Sequence, residues 1–510
     1  MNFFAKLYRV YFSKLIADIE LNMERPEIYQ NRLLANLMGT LSKTTFGKEH
    51  GIESSSNYLH YRERVPLRGY EEYEPYIRRV REGESSLLWS SPIKWFAKSS
   101  GTSNAVSKFI PVTKEALYNC HYHGMKQMIA SYLINNPTSK LLKGNALTLG
   151  GSVVPDTMGR EGQKSGDLSA ILLSNTPPWV ELRRVPSKKI ALMSSFEEKV
   201  EHICKNARSY NVTNFSGVPS WNLVLLRQIL QYNGEEDLHR IWPNLELFMH
   251  GGISFKPYRK EYLKMVSGKL NFLESYNASE GFFAFQNDPS DSSMLLLTNN
   301  GIFYEFIPLD KLEMAIAGNF TDFDTIESVT TNQIYAPLLT TNGGLWRYLI
   351  GDTVEFTSLK PHKIIITGRT QLYINAFGEE LMIHNAEKAL TYVCNHLALS
   401  VATFTVAPHY MSSNHKGYHQ WLIEFDTPPQ DLKLFAQMLD NQLQEHNSDY
   451  RAKRENNLTM LPLEVIPAPR GLFYRWLSQK GKVGGQNKVP PLSNDRTIIE
   501  ELLKLNRESK

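Results

Sequence analysis

The chain has 510 residues, 42% hydrophobic and 21% charged, with 56 lysines and arginines against 52 aspartates and glutamates. That is globular composition, long enough for two or three domains, and too evenly charged for nucleic acid or an anionic membrane to be the main partner. Three cysteines, Cys120, Cys204 and Cys394, lie far apart without a C-x-x-C pair, which excludes a cysteine-only zinc site and fits a reducing, cytoplasmic compartment.

Helical spacing runs to about residue 45. Its first apolar stripe (Phe3, Phe4, Leu7, Val10, Tyr11, Leu15, Ile16) is interrupted by Lys6, Arg9, Lys14, Asp18 and Glu20, so it reads as a helix packed on its own domain rather than a signal peptide or membrane span. Turn-rich, charged sequence follows over 62–68, then the tyrosine-rich 70–76. Residues 93–97 have β character and lead into Ser99-Ser100-Gly101-Thr102-Ser103-Asn104-Ala105-Val106-Ser107-Lys108, before the apolar 109–112. Hydroxyls and backbone N–H groups in such a turn can surround phosphate oxygens; Gly101 admits close approach and Lys108 adds a point charge. Alone, a cluster of this kind is most often just a loop. Neither G-x-x-x-x-G-K-[ST] nor G-x-G-x-x-G occurs anywhere in the chain.

Periodicity is helical again over 113–135, and 146–149 form a short strand entering the turn Gly150-Gly151. Ser194-Ser195 start a helix over 196–210; 215–220 read as a turn and 221–230 as an apolar helix. Two buried strands, 245–249 and 270–275, stop abruptly at His250-Gly251-Gly252 and Tyr276-Asn277-Ala278-Ser279-Glu280-Gly281, where α/β proteins place ligand-binding residues. Short β-type runs dominate 294–366. After about 370 two helix-and-strand units follow, 385–397 with 401–406 and 430–444 with 463–466, which places a domain boundary near Thr370, giving 1–370 and 371–510.

The turns gain meaning as an ordered set: Ser99 to Lys108, Tyr276 to Glu280, Tyr348-Leu349-Ile350-Gly351-Asp352, Gly368-Arg369-Thr370 and Gln486-Asn487-Lys488. In this order they resemble the signatures of the adenylate-forming superfamily. Within it, a lysine nine positions after the first serine, followed by Phe109-Ile110-Pro111, is similar to the auxin-responsive promoter (Gretchen Hagen) family of acyl acid amido synthetases. Acyl-CoA synthetases carry that lysine one residue earlier, where Ser107 stands. Phe46-Gly47-Lys48-Glu49-His50-Gly51, Gly344-Leu345-Trp346-Arg347-Tyr348 and Asn375-Ala376-Phe377-Gly378-Glu379-Glu380 extend the resemblance over nearly the whole chain, and it looks closest to bacterial members.

The resemblance implies an α/β fold of adenylate-forming architecture: a large N-terminal domain with mixed sheets and a β-barrel-like part, and a small mobile C-terminal α/β domain. It implies an ATP-dependent ligase that makes an acyl adenylate from a small carboxylic acid, then an amide with an amine, in the family an amino acid. Ser99, Ser100, Gly101, Thr102 and Ser103 with Lys108 would hold phosphates, and Glu280 would coordinate Mg²⁺ while Ser279 supports the α-phosphate. Asp352 would hold the ribose, Tyr276 and Gly252 would flank adenine, Arg369 would stand at the hinge, and Lys488 would arrive from the small domain. Charge neutralisation and positioning are what joining two anions demands, and no covalent nucleophile is needed. Two departures bear on the hinge and its surroundings: Gln371 replaces an aspartate and Leu349 a basic residue.

Two alternatives follow from the same residues, an acyl-CoA synthetase-like thioester former and a nucleotide-binding sensor or scaffold without turnover. His415 and His419 have i, i+4 spacing, but in a Ser/Asn-rich connection they read as a solvated loop rather than a metal site. Cys120 beside His121 and His123 reads as structural. Residues 149–155, 166–171 and 216–226, with the early helices, are the expected walls of a hydrophobic acid pocket.

Overall fold

The structure, a computed structural model, describes residues 3–99, 108–151, 153–155, 162–193, 195–370, 372–412, 415–457, 459–480 and 489–508. The N-terminal stripe forms two helices, Phe3–Glu24 and Pro26–Leu41, divided at Pro26, whose missing N–H costs nothing in a first helical turn. Both pack on the later β-region through buried amides. Gln30 donates to the carbonyls of Thr298 and Ile302 at 2.8 and 2.9 Å, and accepts from the Tyr304 N–H at 3.0 Å. No helix among the described residues is long and apolar enough to cross a membrane.

The charged stretch expected to be turn-rich is a turn over 65–69, but it is flanked by the helices Tyr58–Arg64 and Tyr70–Arg81, the second of which takes up the tyrosine-rich run. Tertiary contacts decide this. The second helix buries Tyr73, Ile77 and Val80 at helical spacing, and the Glu72 carboxylate accepts from the Gly69 N–H at 3.0 Å to cap its start. Tyr73 is the anchor: its hydroxyl donates to the Trp346 carbonyl at 2.5 Å and accepts from the Trp346 N–H at 2.9 Å.

A thirteen-stranded mixed sheet forms the body of the molecule. Five neighbouring strands, Arg184–Val185, Asn145–Thr148, Val212–Gly217, Leu247–Gly251 and Asn271–Ala278, are parallel; from the Asn271–Ala278/Gly281–Phe285 hairpin onward the pairing is antiparallel. The change of sense falls at Ser279-Glu280, the two residues closing that hairpin, since Ala278 pairs with Gly281. Beside it, strands Trp95–Ser99 and Lys108–Val112 pair antiparallel with Ser99 opposite Lys108, in a separate four-stranded sheet. The expected turn at 215–220 is divided between the end of the Val212–Gly217 strand and the start of the helix Pro219–Asn233.

After residue 380 a three-stranded sheet of Ser400–His409, Tyr418–Thr427 and Glu464–Ala468 packs against the helices Ile383–Leu397 and Leu432–His446. The reading of His419 as part of a solvated loop is wrong. His419 begins the middle strand, fully buried, with Nε2 2.7 Å from Glu379 Oε1. Strand pairing on both edges places it inward, and Glu379 also accepts from the Ala376 and Phe377 N–H groups, so the buried carboxylate clamps a turn. One hydrophobic core runs unbroken from the parallel strands into this region, joining Phe215, Phe248 and Tyr262 to Phe377, Trp421 and Leu492.

Candidate active site

A cavity of about 1690 Å³ opens along the carboxyl ends of the parallel strands, where α/β sheets bind ligands. The turns singled out in the sequence converge on it. Lys108, Gly252, Tyr276, Ser279, Glu280, Asp352 and Arg369 all line its wall. Ser99 ends its strand at the mouth of the loop, its side chain lying outside the described residues, as do Ser100, Gly101, Thr102, Ser103, Lys488 and Gln371.

Two carboxylates stand on the polar part of this wall. Asp352 is buried; its Oδ2 accepts from the Tyr276 hydroxyl at 2.6 Å and its Oδ1 lies 3.0 Å from Arg369 Nε. Antiparallel pairing puts Asp352 directly opposite Arg369, so strand register alone delivers this ion pair. Burial, then the neighbouring Asp352 charge, holds the Tyr276 phenol well above its ordinary pKa, so it remains a donor.

Glu280 has a different setting. Burial raises its pKa, and the opposing Lys108 ammonium is the chief influence lowering it; burial likewise lowers the pKa of Lys108, which Glu280 partly restores. Both side chains line the same cavity. The Tyr348 hydroxyl is buried beside Glu280, whose charge, after burial itself, is what chiefly opposes its ionisation. Lys108 is steered by Tyr70, whose ring lies 5.4 Å from its ammonium and whose hydroxyl accepts from the Phe109 N–H at 2.8 Å.

The flanking turns are fixed from behind. Asn277 Oδ1 lies 3.0 Å from His121 Nδ1, and burial depresses that imidazole to about 4, so it is neutral and structural. Cys120 accepts from the Phe282 N–H at 3.3 Å, with its thiol pushed up to about 12 by burial, which makes it packing rather than a nucleophile. Gly251 has no room for a side chain: a Cβ there would stand 2.4 Å from the Ser275 carbonyl oxygen. Sequence reasoning missed Asn375, which donates to the Gly252 carbonyl at 3.0 Å, and Glu380, which sits 3.5 Å from Arg369. It quoted both as part of a family-like stretch, and only the packing shows what they touch. The acid walls expected from sequence contribute Leu149, Leu168, Trp221 and Phe12, joined by Tyr118, Tyr122 and Met125 of the 113–135 segment.

Comparison with known proteins decides the family. The GH3 family N-terminal domain matches residues 15–272, the GH3 family central domain 295–369 and the GH3 family C-terminal domain 384–497. The chain belongs to the GH3 family. Among curated relatives, the 4-substituted benzoates-glutamate ligase GH3.12 of Arabidopsis thaliana is 23% identical, covering 94% of both chains. The jasmonoyl-L-amino acid synthetase GH3.5 of Oryza sativa subsp. japonica is 25% identical over 92% of this chain and 94% of its own. In fold, this GH3 chain is similar to the GH3.15 acyl acid amido synthetase solved with 2,4-DB, at a TM-score of 0.60 and 18% identity over 98% and 96% of the two chains. It is also similar to a 2-hydroxyisobutyryl-CoA ligase, at a TM-score of 0.60 and 12% identity over 96% and 94%. The architecture is that of adenylate-forming enzymes, as the order of motifs implies.

Proposed function

We propose that this GH3 chain activates a small, largely apolar carboxylic acid as its adenylate in the cavity at Lys108, Glu280 and Asp352, then passes the acyl group to an amino acid. The family-level activity is that of an ATP-dependent, amide-forming ligase. Several features favour the site. A volume near 1690 Å³ exceeds the usual ~300–1,000 Å³ of a small-molecule pocket and has room for a nucleotide beside an acid. Its walls separate chemically, with charged groups around Glu280 and Asp352 and with Leu149, Leu168, Tyr122 and Met125 toward the early helices.

The observation that carries the reading is the convergence of Lys108, Glu280 and Asp352 on one cavity wall, with Asp352 oriented by Tyr276 and Arg369. A lone, partly desolvated carboxylate with room for phosphate oxygens fits a hard divalent cation; Mg²⁺ held by Glu280 would offset the triphosphate charge. The chain does the remainder. Lys108 and the serine-rich loop that it ends would steady the phosphates, and Ser279 would support the α-phosphate at the hairpin tip. Asp352 would accept from the ribose hydroxyls, with Tyr276 and Gly252 flanking the base. In this reading residues 1–370 bind nucleotide and acid, and 371–510 form the small domain that brings Lys488 to the site. The free cysteines suit a cytoplasmic setting.

The test is carboxylate-dependent pyrophosphate release with ATP and Mg²⁺ across aryl, indolyl and fatty acids, with pooled amino acids or CoA as acceptors. Glu280→Gln is expected to reduce release at least 100-fold, consistent with loss of an electrostatic stabiliser worth about 3 kcal/mol. Full activity in that variant would remove Glu280 from the site. A CoA thioester as product would favour a thioester former, and ATP binding without release a sensor.

A further inference from the structure

Several cations in the cavity wall are already engaged. Arg369 meets Asp352, Arg184 lies 2.5 Å from Glu181, and the buried Lys199 donates to the Gly150 carbonyl at 2.5 Å. Lys453 is different. It is the one cation that the described part of residues 371–510 contributes to this wall, and no carboxylate among the described residues pairs with it. Its ammonium lies 4.6 Å from the centroid of the Trp221 ring on the facing domain, a contact that retains a cation without neutralising it.

The surroundings hold Lys453 in place. It sits on the helix Ser448–Arg454, capped by Asn447 and pinned by Asp440, which receives Tyr450 at 2.7 Å and Arg454 at 2.9 Å. Functional side chains are placed most accurately from anchored elements of this kind. The lysine stem passes over Gly378, where a Cβ would stand 3.0 Å from Lys453 Cε; with φ at 91°, that position also favours glycine conformationally. Thus the turn beside the domain boundary leaves a slot, and Lys453 fills it. The same wall carries Glu197, Asp449 and Glu455. Glu197 accepts from Asn456 at 2.6 Å, linking the two domains beside the lysine.

We propose that Lys453 binds the carboxylate of the amine acceptor, so that the acceptor is a zwitterionic amino acid whose ammonium meets the acids of this wall. This rests on the ligase reading. Because Lys453 comes from the small domain and Trp221 from the large one, the acceptor site is complete only when the two are apposed. Activation of the acid needs no acceptor, so the two half-reactions separate the two proposals.

Amide formation is measured for each of the twenty amino acids against its own α-carboxamide, with benzoate, indole-3-acetate and decanoate as acids. The wild type is expected to prefer the free amino acid at least tenfold in kcat/KM. Lys453→Ala is expected to bring that preference close to unity through a raised KM, and Lys453→Arg to keep most of it. Acid-dependent pyrophosphate release by the same preparations reports folding and the first half-reaction. Release with an undiminished preference in Lys453→Ala overturns the assignment of Lys453 alone. Absence of release from the wild type with every acid counts against the ligase reading itself.

Discussion

Single side chains in this site have environments that fix their protonation. Lys108 is the clearest, since burial lowers its pKa below the ordinary 10.5 while the Glu280 charge works against that fall. If its charged form holds phosphate, the KM for ATP rises on the alkaline side at a lower pH than an exposed lysine would give. Guanidinium stays charged throughout, so Lys108→Arg is expected to remove that limb. Lys108→Met should instead show a high, pH-independent KM. Steady-state kinetics between pH 7 and 10 provide the measurement, and parallel profiles for wild type and Lys108→Arg would take Lys108 out of phosphate binding. Asp352 shows a complementary device: the Arg369 guanidinium and a phenol donor from Tyr276 hold and aim the buried carboxylate.

At the level of elements, what positions the site is the joining of distant segments by buried polar groups. Arg347 is the strongest case. Its guanidinium lies 2.9 and 3.0 Å from the two oxygens of the fully buried Glu305, and it donates to the carbonyls of Arg62 and Val65 at 2.9 and 2.8 Å. One side chain thus ties the strand Ile302–Pro308, the end of the helix Tyr58–Arg64 and the segment entering Tyr348-to-Asp352. Arg347→Met would leave Glu305 buried and unpaired, which is expected to cost about 3–5 kcal/mol. Urea unfolding checks this, and a loss below about 1 kcal/mol would show the pair to be dispensable. The hydrogen bond between His419 and Glu379 works in the same way after residue 371, where the carboxylate organises the turn from Ala376 to Glu379.

For the whole molecule, the question is how two half-reactions share one cavity. The Asn375 amide reaches the Gly252 carbonyl, Ser220 Oγ donates to the Phe377 carbonyl at 2.9 Å, and Tyr258 donates to the Ala376 carbonyl. Lys453 stands over Trp221. This apposition sets the residues after 371 against the Trp221 side of the cavity. If Lys488 serves activation of the acid, as proposed, Lys488→Ala is expected to reduce acid-dependent pyrophosphate release at least 100-fold while transfer from supplied acyl-AMP stays within about threefold of wild type. Equal loss in both half-reactions, measured by amide yield, would refute that division of labour.

The sequence by itself determined the family, the α/β class and several polar groups that line the cavity, because strands ending in polar turns mark themselves by composition and order. Tyr276, Glu280, Asp352 and Arg369 were legible in this way. Tertiary structure decided what depends on partners distant in the chain. The segment Tyr70–Arg81 is helical because Tyr73, Ile77 and Val80 enter the core that holds Trp346, which local charge and turn propensity conceal. His419 is buried because two strands flank its own, whereas its neighbours Ser412, His415 and Gly417 read as loop. Lys453 carries no local signal at all: a lysine on a short charged helix becomes a site residue only because Gly378 leaves room and Trp221 lies across the cavity.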